Sequence, residues 1–282
     1  MNVVLKKVVL PKKLQPFYVT DLIRLGNKND GGYLVRKKDI VISDILVSIG
    51  SLFDWSFERD FLKINKSSKI LSIDGSVGFK YLNSKLWYLL KEYLKSFKKD
   101  KLKKIASTLN LYLKFSKFYK FNLIKNNMEF LESFVQLKTN KKLEREFYHN
   151  RGYSLQNMLF VDLVDMYFTE NTFLSIDIEG SEYEFLHNIV QVQEKIQGMV
   201  IEFHEVNKNI NEIYNFLDNF DLDLIHLHIN NNGKIIDGLP EVIELTFSRK
   251  DDNVTVLKQN YLPHILDADN NPSTTSYEVT FQ

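Results

Sequence analysis

The residues best suited to chemistry lie where short apolar segments of the sequence end. The segment FLSIDIEGSEYEFL runs from apolar residues into Asp177 and Glu179. The segment ILSID ends at Asp74, and the segment MVIEFH ends at His204. Carboxylates and imidazoles can orient a ligand hydroxyl or accept its proton. Because ligands of open α/β sheets bind at the carboxyl ends of the strands, the sequence predicts a site built from these strand ends.

The spacing between two of the strand ends is typical of nucleotide binding. The segment ILVSIG ends at Gly50, and Asp74 ends the next apolar segment about 20 residues later. In such proteins the glycine lets the backbone approach the ligand, and the acid accepts hydrogen bonds from the ribose hydroxyls. The loop GSLFDW contains one glycine of the G-x-G-x-x-G pattern, which favours a ligand without a diphosphate. The alternative is an ordinary strand-to-helix turn with a surface carboxylate.

Short apolar segments alternate with helical patterns along the chain, which predicts an α/β fold with a parallel sheet. Residues 206–220 show the apolar spacing of a helix. Residues 222–229 and 241–247 have the composition of the last two strands, and turn-rich segments join them. The polar stretch of residues 267–276 is expected to be a surface extension.

A lysine-rich segment, residues 80–125, interrupts this pattern. Apolar residues recur at helical spacing over residues 81–97 and over residues 102–121, with lysines between them. Three interpretations compete: a helical cap over the active site, a membrane-surface element and a nucleic-acid-binding patch. The cap is favoured, because lysines on a helix most often form a solvated face. Such a cap would also suit a phosphorylated or nucleotide-linked substrate.

The composition excludes some chemistries. The 282 residues contain no cysteine, so disulfides, thiolate metal sites and a cysteine nucleophile are excluded. The start of the sequence mixes valines with lysines, unlike a signal peptide, and no uncharged apolar run reaches about 18 residues. A cytoplasmic protein without a transmembrane segment is therefore expected. The net charge of +1 indicates no particular partner.

Eight segments carry a resemblance to a known family. They are NDGGYLV (29–35), VSIGSLFDWSFERDF (47–61), SIDGSVG (72–78), FLSIDIEGSEYEFL (173–186), IEFHEV (201–206), HLHINNNG (226–233), LPEVIELTF (239–247) and LDADNNP (266–272). Together they resemble the FkbM-like family of S-adenosylmethionine-dependent class I methyltransferases, whose signature is IDIEG-x-E. The resemblance covers most of the chain except residues 79–151.

The resemblance implies a fold and a division of the chain. It implies a Rossmann-like, seven-stranded methyltransferase sheet of the α/β class that closes with an antiparallel pair of strands. It also implies a helical, lysine-rich insertion or cap at residues 80–150. This insertion would separate a first half, residues 1–79, from a second half, residues 151–282.

The resemblance also implies S-adenosylmethionine as the cofactor. The implied cofactor-binding residues are Gly50, Ser51, Asp54, Asp74, Gly75, Asp177, Asp30 and Gly31. Asp74 would hold the ribose, Gly50 would lie against the methionine part, and Asp177 would face the sulfonium and the substrate. One position departs from the family pattern, because Leu52 stands where a second glycine often follows the first.

His204 is the predicted base that removes the proton of the methyl acceptor. Its pKa is expected near neutral pH, and Asp177 is expected to orient it. His226 and His228 are the reserve candidates, since alternation within a strand places both on one face. The alternative for each histidine is a structural or surface role.

No metal site is predicted. Asp177, Glu202, His204, His228 and Asn230 offer ligand atoms for a divalent ion, but no H-E-x-x-H or similarly tight motif occurs. A divalent metal stays an open alternative, in which it would lower the pKa of the substrate hydroxyl as a Lewis acid.

The predicted activity is methyl transfer to a hydroxyl of a sugar or nucleotide-linked sugar, destined for a surface glycan. One alternative is a different acceptor, such as a phosphoramidate or a lipid-linked group. A second is a catalytically silent nucleotide- or RNA-binding module that uses the lysine-rich segment. The core-like spacing of apolar residues in that segment argues against nucleic acid. Peripheral membrane contact through the segment is left open, and no oligomeric state is predicted.

Overall fold

The computed structural model describes residues 5–120, 127–138, 156–250 and 257–282. The strands within these residues are β1 (Lys6–Leu10), β2 (Leu22–Gly26), β3 (Gly32–Arg36), β4 (Ile45–Ile49), β5 (Lys69–Ile73), β6 (Met128–Leu131), β7 (Ser133–Gln136), β8 (Gln156–Leu159), β9 (Thr172–Ile176), β10 (Ile196–His204), β11 (Asp223–Ile229), β12 (Ile235–Ile236), β13 (Leu239–Pro240), β14 (Val242–Ser248) and β15 (Tyr277–Phe281). The α-helices are α1 (Lys37–Ile42), α2 (Ser56–Ile64), α3 (Phe79–Ser96), α4 (Lys99–Phe118), α5 (Phe160–Tyr167), α6 (Leu186–Gln191) and α7 (Val206–Asn219).

Seven strands form one sheet in the order β11-β14-β10-β9-β4-β5-β6. The pairs β9–β10 and β5–β6 are parallel, whereas β14 is antiparallel to both β10 and β11. The predicted seven-stranded α/β sheet and its antiparallel closing strands are therefore confirmed. The strand order reverses direction at β4, and open α/β sheets bind ligands at such a point.

The central strands of this sheet are buried because their sequences are almost continuously apolar. Every residue of β4 (ILVSI) and β9 (TFLSI) is buried, and β10 is buried up to its last residue. Parallel strands covered on both faces have this composition. The polar side chains that could take part in chemistry are consequently concentrated at the strand ends, as the sequence predicts.

The chain forms two compact units. Unit 1 comprises Met1–Val47, Ser56–Ser68 and Phe168–Gln282, and unit 2 comprises Ser48–Trp55 and Lys69–Tyr167. The predicted division into two halves and an insertion stays a prediction. Residues 121–126 and 139–155, which belong to the predicted insertion and to the start of the predicted second half, lie outside the described residues.

In unit 2, helices α3 and α4 pack on an aromatic cluster. The Trp55 ring stacks on Phe118 with the ring centroids 3.7 Å apart. Phe115 lies 4.8 Å from Phe79 and 5.3 Å from Phe130, again between ring centroids. Both helices were predicted from apolar spacing, although Phe121, the predicted end of the second, lies outside the described residues. Their role as a cap stays a prediction.

In unit 1, the expected surface extension of residues 267–276 is exposed only in part. Residues 272–275 are exposed, whereas the Asp267 side chain is 3% exposed and Asn270 and Ser276 are buried. Beyond them, β15 pairs in parallel with β1. The expectation was wrong for Asp267 and Asn270, because their side chains bind His226, His228 and Glu244.

Candidate active site

In unit 2, Asp74 directly follows β5 and its carboxylate is held by three donors. The backbone N–H and the hydroxyl of Ser76 both donate to Asp74 Oδ1 at 2.6 Å. The backbone N–H of Leu52 donates to Asp74 Oδ2 at 2.7 Å. A carboxylate has about four acceptor positions. The described residues therefore fix the orientation of this buried carboxylate and leave one acceptor position on Oδ2 for a ligand hydroxyl.

The loop after β4 has the backbone geometry of a ligand-binding turn. Gly50 has φ +90° and donates its N–H to the Ile73 carbonyl at 2.9 Å. The Ser51 hydroxyl lies 2.9 Å from the Ser72 hydroxyl, and the Asp54 N–H donates to the Ser51 carbonyl at 3.0 Å. The predicted residues Gly50, Ser51 and Asp54 thus belong to one hydrogen-bonded turn.

Leu52 explains why the family pattern often has glycine at its position. Its φ is +47°, in the left-handed region that a Cβ atom disfavours by about 1–2 kcal/mol. Glycine adopts this conformation without that penalty. The turn is nevertheless formed here, because the Leu52 N–H is bound to Asp74.

Gly75 is required for packing. A Cβ atom at Gly75 would lie 2.6 Å from Cγ of the Phe134 ring, closer than van der Waals contact allows. The structure therefore gives Gly75 a packing role, and its predicted cofactor contact stays a prediction.

In unit 1, the His204 imidazole at the end of β10 lies among three carboxylates. Its Nδ1 is 3.3 Å from Glu182 Oε1, and its backbone N–H donates to the same oxygen at 2.5 Å. Its Nε2 is 3.3 Å from Glu202 Oε1 and 3.6 Å from Glu179 Oε2. Asp177 was expected to orient the ring, and Glu182 was assigned no role. In the structure Glu182 holds the ring, at Nδ1.

These carboxylates change the protonation state of His204. Burial lowers the pKa of the imidazole, but the hydrogen bonds with Glu182 and Glu202 outweigh burial and raise it to about 10. The pKa near neutral pH that was expected for His204 is therefore wrong. At neutral pH His204 is an imidazolium.

Asp177 has an oxygen without a partner. Its Oδ1 atom is buried and accepts no hydrogen bond from any described residue. Burial, followed by the charge of Glu202, raises the pKa of Asp177 to about 8. The next turn is strained, because Glu179 has φ +55°, which is uncommon for a residue other than glycine. Buried unpaired acceptors and left-handed residues are typical of sites that receive a ligand.

The same residues could hold a metal ion. Asp177, Glu179 and His204 each offer one ligand atom, and these atoms lie within 4.8 Å of one another. Two carboxylates and an imidazole suit a divalent ion such as Mn²⁺ or Fe²⁺. Of the other residues considered as ligands, Glu202 borders the cluster, and Asn230 donates to Glu202 Oε1 at 3.3 Å. The structure brings these residues together, whereas His228 binds elsewhere.

His226 and His228, the reserve bases, bind the end of the chain. Asp267 Oδ1 lies 2.9 Å from His226 Nε2 and 3.5 Å from His228 Nδ1. His228 Nε2 lies 2.9 Å from Asn270 Oδ1. Burial lowers the pKa of His228, but Asp267 and the charge of Glu244 raise it to about 9. The two histidines lie on one face of β11, as predicted, and the structure gives them a role in holding the chain end.

A row of ionisable residues crosses three strands of unit 1. Glu202 of β10 lies opposite Glu244 of β14, which lies opposite His228 of β11. Burial raises the pKa of Glu244 to about 7 and that of Glu202 to about 7, and the charge of Glu244 adds to the effect on Glu202. The row therefore places a second buried carboxyl group, Glu244, next to Glu202, which borders His204.

The turn at Asp30 and Gly31 lies with this acidic cluster. It joins β2 and β3, and Gly31 has φ +79°. Asp30 Oδ1 accepts a hydrogen bond from Asn270 Nδ2 at 3.1 Å, and its charge contributes to the raised pKa of Asp177. Within unit 1, Asp30 is thus a neighbour of Asp177, and the contact of Asp30 and Gly31 with the cofactor stays a prediction.

Comparison with known proteins gives one family. Residues 85–236 match the family model described as the methyltransferase FkbM domain. This range includes Asp177, Glu179, His204 and His228 and begins within α3, a region that the motif comparison had left out. A search of curated protein sequences finds no significant match.

Solved structures show weak similarity only. The M. jannaschii TYW2 structure in complex with AdoMet is 12% identical, with TM-score 0.34, over 87% of this chain and 94% of that chain. A precorrin-6y C5,15-methyltransferase from Geobacter metallireducens GS-15 is 10% identical, with TM-score 0.35, over 76% of this chain and 86% of that chain. M. capricolum TrmK in complex with S-adenosyl-homocysteine is 12% identical, with TM-score 0.33, over 78% of this chain and 69% of that chain. Similarity at this level does not establish a shared function.

Proposed function

Because the chain belongs to the FkbM methyltransferase domain family and is a methyltransferase, we propose that it transfers the methyl group of S-adenosylmethionine to a hydroxyl oxygen of a sugar or nucleotide-linked sugar. The observation that carries this proposal is the imidazole and carboxylate cluster of His204, with the unpaired Asp177 Oδ1 beside it. Such a cluster suits an acceptor that has a proton to lose and a hydroxyl to orient.

On the cofactor side, we assign Asp74 to the ribose. Its carboxylate is already oriented by Leu52 and Ser76, so a ribose hydroxyl would add a hydrogen bond without reorganising the loop. Gly50 would let the backbone approach the methionine part, because no Cβ atom stands there. The bound cofactor supplies an electrophilic methyl group.

On the acceptor side, Asp177 Oδ1 would accept the hydrogen bond of the substrate hydroxyl. His204 would receive the proton at Nε2 as the O–CH₃ bond forms and the S–CH₃ bond breaks, leaving S-adenosylhomocysteine. A protonated His204 cannot act as a base, so turnover is expected to rise with pH as His204 loses its proton.

Asp177, Glu179 and His204 also allow a divalent metal to assist. When bound there, the metal would lower the pKa of the acceptor hydroxyl. The residues would bind it through carboxylate oxygens and the neutral imidazole, so metal and proton would compete for His204.

The proposal is tested by following S-adenosylhomocysteine formation with a panel of free and nucleotide-linked sugars. Each active sugar is compared with its deoxy analogue, which lacks one hydroxyl. We expect product with a sugar and none with the analogue that lacks the methylated hydroxyl. Cofactor binding without turnover on any sugar would favour another acceptor, such as a phosphoramidate. Absence of cofactor binding would favour the silent nucleotide-binding module.

The same assay is repeated after a chelator and after Mn²⁺ is added back. Loss of turnover with the chelator and recovery with Mn²⁺ would assign the metal alternative. Unchanged turnover would leave His204 as the proposed base without a metal.

A further inference from the structure

Helix α3 carries apolar residues on a face that is exposed. Trp87, Leu90 and Leu94 follow one another at spacings of three and four residues, which places them on one side of a helix. Trp87 is 67% exposed and Leu94 is 64% exposed. Phe97, which follows the helix directly, is exposed as well. The helix therefore presents a stripe of large apolar side chains to solvent.

Helix α4 carries a second stripe of this kind. Leu102, Leu109 and Leu113 are separated by seven and four residues, so they too lie on one side of their helix. All three are exposed, and Leu113 is 61% exposed.

The stripes are not the faces that form the core of unit 2. The buried apolar residues of α3 are Leu82 and Leu89, and those of α4 are Ile105, Phe115 and Phe118. Phe115 and Phe118 pack in the aromatic cluster with Trp55. Each helix thus has one apolar face for the core and further apolar residues that the core does not need. Contiguous exposed apolar side chains mark interaction surfaces.

The charge of the two helices is strongly one-sided. Residues 79–120 contain twelve lysines and only two acidic residues, Glu92 and Asp100, in a chain whose net charge is +1. Of the two acids, Glu92 is already paired with Lys95 at 3.1 Å. Lys91 lies beside the α3 stripe, with its Nζ 5.7 Å from the centre of the Trp87 ring. The apolar stripes are therefore set in a positively charged surface.

We propose that α3 and α4 form a membrane-contact surface that binds anionic phospholipid. Helices that lie in a membrane interface combine Trp, Phe and Leu with lysines in this way. The lysines match the negative surface of such a membrane, where each basic residue near the surface contributes to binding. No α-helix in the described ranges is long and apolar enough to cross a membrane. The proposal is independent of the methyl acceptor.

Lipid explains the stripes better than nucleic acid does. A single-stranded nucleic acid is gripped by basic residues and by aromatic rings on which bases stack. Trp87 and Phe97 are exposed rings on which bases could stack, but most of the stripe residues are aliphatic and offer no stacking surface: Leu90, Leu94, Leu102, Leu109 and Leu113. Their exposure is instead expected for side chains that insert between acyl chains.

The test is co-sedimentation of the full chain with vesicles. Vesicles of phosphatidylcholine alone are compared with vesicles of phosphatidylcholine and phosphatidylglycerol in a 7:3 ratio. We expect binding to the anionic vesicles that is at least tenfold stronger than to the neutral ones and that weakens with added salt. Equal or absent binding to the two vesicle types would overturn the proposal.

Fluorescence locates the contact. The chain has two tryptophans, of which Trp55 is buried and Trp87 is exposed. Adding anionic vesicles is expected to shift the emission to shorter wavelength, and Trp87→Phe is expected to remove that shift. A shift that persists in Trp87→Phe would contradict insertion of this face.

Matched variants test whether vesicle binding depends on the stripes of α3 and α4 or on any exposed apolar side chain. Leu94→Ser with Leu113→Ser is expected to weaken binding to anionic vesicles at least tenfold, with an unchanged far-ultraviolet circular dichroism spectrum. Met166→Ser, which alters an exposed apolar residue of α5, is the control and is expected to bind normally. An equal effect of both variants would overturn the assignment to α3 and α4.

Two other occupants give different results. If the double leucine variant lost self-association in sedimentation velocity without losing vesicle binding, the stripes would be an interface between copies of the chain. If single-stranded RNA bound tightly and charge reversal of Lys91 and Lys95 abolished that binding while the leucine variant retained it, the surface would be a nucleic-acid site. Either result would overturn the lipid proposal.

Discussion

Two carboxylates that follow buried strands, Asp74 in unit 2 and Asp177 in unit 1, are in opposite situations. Asp74 accepts three hydrogen bonds from Leu52 and Ser76, so its orientation is fixed before any ligand arrives. Asp177 has a buried oxygen that no described residue binds. The first arrangement suits recognition of a constant group, and the second suits a group whose proton or charge changes during reaction.

The surroundings of the two carboxylates differ in the same sense. Asp74 is bound by neutral donors, two backbone N–H groups and a hydroxyl. Asp177 lies with Glu179 and His204, and the charges of Glu202 and Asp30 also act on it. Electrostatic strain is therefore concentrated at Asp177, where burial and like charge raise its pKa. Strongly perturbed pKa values of this kind cluster at functional sites.

The largest expected effect comes from removing the imidazole beside Asp177. His204→Ala is expected to lower the turnover number about 10²–10⁴-fold, because general base catalysis contributes about that much. Cofactor binding, measured by calorimetry, is expected to be unchanged.

The control is His187→Ala, which removes an exposed histidine of α6. It is expected to have wild-type turnover. A fully active His204→Ala enzyme would show that another group is the base. The difference between the surroundings of Asp74 and Asp177 would then have no catalytic meaning.

The next effect concerns Asp74. Asp74→Ala is expected to weaken binding of S-adenosylhomocysteine about 100-fold, because hydrogen bonds to a charged acceptor contribute about 1.5–3 kcal/mol each. Thermal unfolding would show whether the loop that Asp74 organises is still folded. Asp74→Asn, which keeps one acceptor oxygen, is expected to bind with intermediate affinity. An unchanged titration in a folded Asp74→Ala variant would remove Asp74 from the cofactor site.

A smaller effect is expected in the pH dependence of stability. The pKa of Asp177 is about 8 in the folded chain, above the ordinary value of 3.8, so the folded state binds this proton more tightly than the unfolded state. The contribution of Asp177 to the unfolding free energy is therefore most favourable below about pH 4 and falls as the pH rises to 8.

Asp177→Asn removes this dependence. The variant is expected to gain at least about 1.4 kcal/mol in unfolding free energy relative to the wild type at pH 8, because the pKa of Asp177 is raised by more than one unit and each unit corresponds to about 1.4 kcal/mol. At pH 4 the two proteins are expected to have nearly equal stability. Denaturant unfolding at both pH values measures the difference, and an equal change at pH 4 and pH 8 would show that the carboxylate is not strained.

The smallest effect is expected at Leu52. Leu52→Gly removes the strain of a left-handed residue but increases the entropy of the unfolded chain, so the unfolding free energy is expected to change by less than about 1 kcal/mol. Leu52→Ala keeps the Cβ atom and serves as the control. Both variants keep the backbone N–H of residue 52 that donates to Asp74. Their cofactor affinity is therefore expected to stay within about threefold of the wild-type value. A large gain in affinity with glycine alone would show that Leu52 limits cofactor binding.

The sequence predicted the elements of the site because those elements depend on local pattern. Apolar runs gave the strands, and the residues that follow them include Asp74, Asp177 and His204. The spacing of apolar residues gave α3, α4 and α7. Glu182 lies in the IDIEG-x-E signature, so a signal for it was present although no role was assigned.

The protonation state of His204 and the roles of His226 and His228 could not be predicted in the same way. Glu182 is 22 residues from His204 in the sequence, and Asp267 is 41 residues from His226. A near-neutral pKa was expected for His204 because the sequence does not show which carboxylates approach its ring. The end of the chain was expected at the surface because its polar composition does not show that buried histidines bind it.

The sequence by itself determined the order of apolar and polar segments along the chain, the family, and which residues lie at the ends of the strands. Tertiary structure decided which of these residues share an environment. Hydrophobic periodicity is a local property that nearby residues encode, whereas hydrogen bonding, burial and pKa depend on partners brought together by folding. Asp74 and Asp177 both follow apolar strands, and only the fold makes one carboxylate satisfied and leaves the other with an unpaired oxygen.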